Sequence, residues 1–178
     1  MLECALFGMC REKLGLSGKQ FSRIEKVYET GGKKAIAHIE KGRDEMEIHF
    51  YDTPDRNKQR MSIVRKKTVV PFTKDYDKFL TAIGYKNLCV NLVEGFRYYR
   101  NGYTIEITKM KRTKDILDSS EENELVSSPD LPECLFEYYL VKVFTNTESV
   151  NVGEEILNTA FHELNDVVKL VKPAPSIF

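Results

Sequence analysis

The sequence predicts an α+β fold, an antiparallel sheet with helices packed on it. Three observations carry that reading. Short segments with two-residue alternation of apolar and polar side chains recur along the chain, about seven or eight in all and mostly joined by tight turns. Between two aromatic-rich segments stands Asn101-Gly102, the residue pair that a two-residue type I′ hairpin demands because both positions need positive φ. Three further stretches, early, central and last, carry apolar residues at helical spacing. Hairpin-connected strands with segregated helices define the class.

Leu2 to Cys10 reads as the opening strand. Ser17 can cap a short helix in which Phe21, Ile24, Val27 and Tyr28 recur at helical spacing, closed by Gly31-Gly32. Ala35 to Glu40 and Glu45 to Tyr51 flank a Lys41-Gly42-Arg43 turn, with Met46, Ile48 and Phe50 on one face and Glu45, Glu47 and His49 on the other. Thr53 to Asn57 is a polar turn. Arg60 to Val70 reads as a strand ended by Pro71, which has no N–H to give to a ladder. Tyr76, Phe79, Leu80 and Ile83 form a helix that stops at Gly84, since glycine enters the left-handed region without a Cβ penalty.

Leu88, Val90 and Leu92 alternate with Asn87, Cys89 and Asn91 in the next strand. With the turn at Asn101-Gly102, Arg100 faces Tyr103, Tyr98 faces Ile105 and Phe96 faces Ile107, while Arg97 faces Glu106 on the other side of the ribbon. Turn chemistry and cross-strand pairing select the same register. Residues 111–133 are charged, rich in serine and proline and without apolar period, and predict an exposed, mobile loop. Cys134 to Asn146 resumes strand character, and Ile156, Leu157, Ala160, Phe161, Leu164, Val167 and Val168 stripe a last helix over Glu154 to Leu170.

A chain of 178 residues fits one domain, 1–178. Lysine plus arginine match aspartate plus glutamate at 27 each, so no global field draws it to nucleic acid or an anionic membrane. Cys4, Cys10, Cys89 and Cys134 lack metal-binding spacing, and no apolar stretch suits a signal peptide or a membrane span. An intracellular protein with reduced thiols, no cofactor, no metal and no membrane or direct nucleic-acid partner is expected. No nucleophile elbow, Cys/His pair or phosphate loop accompanies His38, His49 and His162.

Two groups of residues invite chemistry. Glu45, Glu47 and His49 share one side of a strand and could hold a divalent metal, although alternating acids on a strand are commonly its solvated face. Arg65-Lys66-Lys67 and Lys109 to Lys114 could contact phosphate or direct nuclear import, or simply be solvated strand ends. Aromatics are plentiful: Tyr98, Tyr99 and Tyr103 in one hairpin, Tyr138 and Tyr139 in another strand. Sequence neighbours point to opposite faces, so some are expected at a partner-binding surface.

The order of helix, Gly84-Tyr85, strand, Gly95-Phe96, Tyr98, Gly102 and a strand with Glu106 and Lys109 resembles the family of subunit 18 of the Mediator complex. The opening LECALFGMC with Gly8, and the closing strand, helix and VVKLVKP tail, extend the likeness to both ends. The resemblance implies a curved, largely closed antiparallel barrel with flanking helices, similar to the tunnel of triphosphatases. It also implies a non-catalytic nuclear subunit of the head module in RNA polymerase II transcription, paired with subunit 20 and receiving a C-terminal segment of subunit 8. Tunnel triphosphatases carry Glu-x-Glu with a lysine two positions on; here His49 takes the lysine's place, and Ala5 follows Glu3. The alternative is a metal-dependent tunnel phosphohydrolase with Glu45, Glu47 and Glu106 on the metal and Arg60, Arg65, Arg97, Lys109 and Lys142 on phosphates. A plain α+β binding module is a third possibility.

Overall fold

The computed structural model describes residues 1–10, 18–40, 46–72, 75–113, 133–134 and 139–172. In chain order these form β1 (Leu2–Cys10), β2 (Lys19–Thr30), β3 (Lys33–Glu40), β4 (Met46–Tyr51), β5 (Ile63–Phe72), α1 (Tyr76–Ala82), β6 (Lys86–Arg100), β7 (Tyr103–Thr113), β8 (Glu133–Cys134), β9 (Tyr139–Thr147) and α2 (Val150–Leu164). The sheet runs β6-β2-β3-β4-β5-β1-β9-β7, and β7 pairs back onto β6, closing an eight-stranded antiparallel barrel. The short β8 continues the β9 edge of β7 at Lys111 and Arg112.

The hairpin closes the cylinder in the expected register: Arg100 opposite Tyr103, Tyr98 opposite Ile105, Arg97 opposite Glu106 and Phe96 opposite Ile107. Asn101 and Gly102 have φ of 44° and 83°, as a type I′ turn requires. Strand β6 runs unbroken through Gly95, where a Cβ would lie 2.1 Å from the Ile107 carbonyl oxygen.

The apolar cores lie outside the barrel. Leu157, Ala160 and Leu164 of α2 cover Leu6, Ile105, Ile107, Val141 and Val143. Tyr76 and Leu80 of α1 cover Tyr28, Ala35, Ala37 and Ile48, and the Tyr28 hydroxyl donates to the Asp77 carboxylate. Because strand side chains alternate, burying one set under helices turns the other set into the lumen. After α2 the chain turns back. Val168 and Leu170 are buried with that core, and Val171 makes two backbone hydrogen bonds with Phe7, of 3.0 and 2.7 Å.

Several expectations are corrected. The early helix is strand β2, so two helices form among the described residues, not three. Its pairing with β6 shifts register between Val27 and Tyr28. The extra residue there is Leu88 of β6, and β2 keeps its alternation against β3; apolar residues stand on both of its faces, Phe21 and Val27 on one and Ile24 and Tyr28 on the other, and that leaves a spacing that imitates a helix. Gly31 and Gly32, with φ of 54° and 78°, are the β2–β3 turn instead of a helix end. The strand after the polar turn begins at Ile63, and Pro71 stays inside β5 opposite Glu47. Pairing of β5 with β1 stops at Lys66, so one edge near Pro71 needs no donor. The last helix begins earlier and ends at Leu164, leaving Val167 and Val168 beyond it. Lys111 to Thr113 belong to β7 and Glu133 to β8, and the rest of the expected loop lies outside the described residues. So do Ser17, the Lys41-Gly42-Arg43 turn and residues 135–138, which separate β8 from β9.

Candidate functional site: a charged barrel lumen

Register places the lumen's charges. Across three adjacent ladders Lys19 stands opposite Arg97, Arg97 opposite Glu106 and Glu106 opposite Lys142. Glu3 faces Arg65, and His38 faces Glu25 on one side and Glu47 on the other. Opposite residues lie close enough for ion pairs wherever signs differ.

Two carboxylates anchor the network. Glu3 is fully buried, and its oxygens accept from Arg65 Nη2 at 3.0 Å and from Lys142 Nζ at 3.2 Å, with Lys67 Nζ at 3.5 Å. Burial alone would raise its pKa, but Lys142, Arg65 and Lys67 outweigh it and hold the carboxyl at about 2. Glu106 accepts a two-pronged contact from Arg23, 3.2 and 3.1 Å, and 2.8 Å from Arg97 Nε. Its pKa is also held at about 2, burial being overcome by Arg23, then Lys142 and Arg97. Arg23 reaches Glu25 as well, at 2.7 Å, and its guanidinium stays charged above the usual arginine range despite burial. Aromatic faces complete the cradle: Arg65 lies 3.8 Å from the Tyr51 ring centre, and Lys142 4.4 Å from that of Phe144.

The two lumen histidines are disfavoured as cations. His38 and His49 rings lie 4.0 Å apart, and burial, then Arg23 and the other ring, push His38 well below its ordinary range. His49 is lowered to about 4 by burial and then Lys67, against the pull of Glu47, whose carboxylate sits 2.9 Å from Nε2. The other ring nitrogen, Nδ1, lies 3.4 Å from the Tyr51 hydroxyl. The lumen opens into a cavity of about 350 Å³ rimmed by Lys19, Glu40, Glu47, Tyr99, Thr104 and Asn146.

Of the proposed metal ligands, Glu47 and Glu106 line this cavity, but Glu47 is taken by His49 and Glu106 by two arginines. Glu45 lies outside the described residues. No three His, Cys, Asp or Glu side chains converge as a metal site among the described residues. Arg65, Arg97 and Lys142 are in the lumen; Arg60 pairs with Asp55 in the loop before β5, and Lys109 lies 4.9 Å from the Tyr139 ring centre. Arg65 and Lys67 are buried wall residues and not solvated strand ends. Among the tyrosines, Tyr99 is 71% exposed at the lumen mouth, and Tyr98 and Tyr139 are half-buried beside the α2 core. Tyr103 is 2% exposed and donates to Glu163 of α2 at 2.7 Å, which leaves it no surface for a partner. Tyr138 lies outside the described residues. Sequence reasoning missed Arg23 and Glu25 because they sat in a supposed helix; the alternation Phe21, Arg23, Glu25 was the available signal.

A family model described as Med18 protein matches residues 16–176. No curated protein matches the sequence. Among solved structures the chain is similar to one in the Schizosaccharomyces pombe Mediator head module, at 13% identity and a TM-score of 0.72, covering 97% of this chain and 99% of that one. It is similar to a protein of Pyrococcus horikoshii at 13% identity and a TM-score of 0.62, over 97% and 94% of the two chains. A conserved hypothetical protein of Pyrococcus furiosus follows the same fold, at 11% identity and a TM-score of 0.60 over 94% of each chain.

Proposed function

The chain belongs to the Med18 protein family, and on that premise we propose that it is a structural subunit of the Mediator head module. In this reading it acts in the nucleus, in regulation of RNA polymerase II transcription, through protein contacts and without catalysis. It pairs with Mediator subunit 20 and receives a C-terminal segment of subunit 8. The observation that carries the reading is the state of the lumen carboxylates. Glu3 and Glu106 are both saturated by this chain's own lysines and arginines, so a metal would have to break buried ion pairs to bind them. A closed barrel also presents no free strand edge along its circuit, which suits a rigid docking body. Tyr98, Tyr99 and Tyr139 are the aromatic residues proposed for partner contact.

The presence of Lys67, Arg97 and Lys142 beside Glu47 and Glu106 in one cavity favours a second reading, the metal-dependent tunnel phosphohydrolase. Phosphate release from a nucleoside triphosphate with magnesium or manganese decides between them. The scaffold reading expects none above background; release that disappears in a Glu45→Gln, Glu47→Gln double variant would establish the enzyme.

A further inference from the structure

The barrel's eight seams are not equally closed. β1 and β5 share four residue pairs, from Leu2–Lys66 to Ala5–Ile63, fewer than any other seam of the barrel among the described residues, whereas β1 and β9 share nine. The two ends of that short seam are held differently. At one end Glu3 of β1 accepts from Arg65 of β5 at 3.0 Å and has Lys67 of β5 at 3.5 Å, so buried charge staples the strands together. At the other end they part. β1 runs on to Cys10 while β5 begins only at Ile63, so the edge that β1 turns toward β5 is left without that strand from Phe7 onward. The end of the chain fills the place. Val171 N–H donates to the Phe7 carbonyl at 2.7 Å and Phe7 N–H to the Val171 carbonyl at 3.0 Å, a single antiparallel bridge. Lys172 Nζ donates to the carbonyls of Asn57 at 2.7 Å and Arg60 at 3.2 Å, both in the loop that leads into β5. The two residues therefore hold both sides of the seam.

We propose that Val171 and Lys172 form a latch on the β1–β5 seam, and that its release opens the barrel wall from the Ala5–Ile63 end while Glu3 holds the other end as a hinge. The tail is built to let go there and not earlier. Val168 and Leu170 are buried in the α2 core, and a Cβ on Gly8 would lie 2.8 Å from the Lys169 carbonyl oxygen, so the tail is seated against β1 up to that point. Val171 is 47% exposed, and lifting it takes no core side chain out of its place. A segment with little buried apolar surface and a few backbone hydrogen bonds near solvent opens far below the cost of global unfolding. Glu154 of α2 adds a second tie at the same end, accepting from the Ser62 hydroxyl at 3.1 Å, one residue before β5. What the latch covers is the backbone edge of Phe7, an edge to which an extended chain adds once it is bare. The inference does not depend on the scaffold reading.

The test is amide hydrogen exchange by NMR on the full chain, wild type beside Val171→Pro, which removes the donor to Phe7, and Lys172→Ala, which removes the ties to Asn57 and Arg60. Ala5 and Ile63 report on the latched end, Arg65 on the end held by Glu3, and the β6–β7 hairpin on the rest of the barrel. Val171→Pro is expected to speed exchange at Ala5 and Ile63 at least about tenfold, and Lys172→Ala about threefold, with Arg65 and the hairpin amides changed by less than about twofold. Unchanged exchange at Ala5 and Ile63 in both variants overturns the inference. So does acceleration that reaches Arg65 and the hairpin equally, because the tail would then stabilise the whole fold and latch no seam. If Val171→Pro fails to fold, Lys172→Ala, which leaves the backbone untouched, decides by the same pattern.

Discussion

At the scale of single residues, Glu3 is the side chain on which most depends. It sits without solvent among Arg65, Lys67 and Lys142, so Glu3→Ala leaves three cations facing one another inside the barrel. The expected loss is about 3–5 kcal/mol, measured by urea unfolding, the cost of removing one partner from a buried network. Acid should reveal the same network in two stages. His49 titrates near 6.5 when unfolded and near 4 when folded, so the unfolded chain takes the proton first and stability falls as pH drops from 6.5 to 4. Glu3 and Glu106 are depressed from 4.5 to about 2, so their contribution is complete above pH 4.5 and lost between there and 2. Each is worth on the order of 3 kcal/mol. A Glu106→Gln variant should flatten the lower stage and leave the upper one in place, followed by urea midpoints against pH. Little of this was readable beforehand: Glu47 and His49 were correctly set on one face, but the sequence does not say whether that face meets water or a lumen. Arg65 and Lys67 looked like solvated basics for the same reason, since charge alone does not distinguish a wall of the barrel from its outside.

At the scale of elements, the register of the β6–β7 hairpin was legible because its information is local: the Asn101-Gly102 turn fixes it, and eleven opposite pairs follow, although the far end of β7, Lys111 to Thr113, was read as loop because its charges carry no apolar period. Gly95 is the exception that sequence cannot price. It allows the Ile107 carbonyl to pass where a Cβ would stand, so Gly95→Ala is expected to cost more than about 3 kcal/mol and to disturb both strands, seen as lost amide protection from Val93 to Arg97. Strand β2 was misread because it carries apolar residues on both faces, Phe21 and Val27 toward one side and Ile24 and Tyr28 toward the other, a spacing that also fits a helix. Helix α2 was found from its stripe, though not its end, because Val167 and Val168 keep the apolar pattern while the chain turns back toward β1. Leu157 is the centre of that stripe against the sheet, and Leu157→Ala should cost about 2–5 kcal/mol in thermal or urea unfolding.

At the scale of the whole molecule, this barrel is apolar outside and charged within. Two helices bury its outer surface in two separate cores, and the lumen is left to polar groups that must satisfy one another. The α+β class followed from alternation and turns. Closure did not, because it needs the long-range pairing of β1 with β9, nine residue pairs that no local pattern announces; there the resemblance to a known family supplied what periodicity lacked. A lumen whose carboxylates Glu3 and Glu106 are held by the chain's own lysines and arginines should be indifferent to divalent metal, so millimolar magnesium or manganese should leave the melting temperature unchanged. The central claim, that this cylinder is a docking body of the Mediator head module, is tested most directly by tagging the chain in its native cells and quantifying what purifies with it from nuclear extract. Head-module subunits recovered in near one-to-one ratio with the chain are the expected result; a partner-free monomer that hydrolyses nucleoside triphosphates only when magnesium or manganese is added would contradict it.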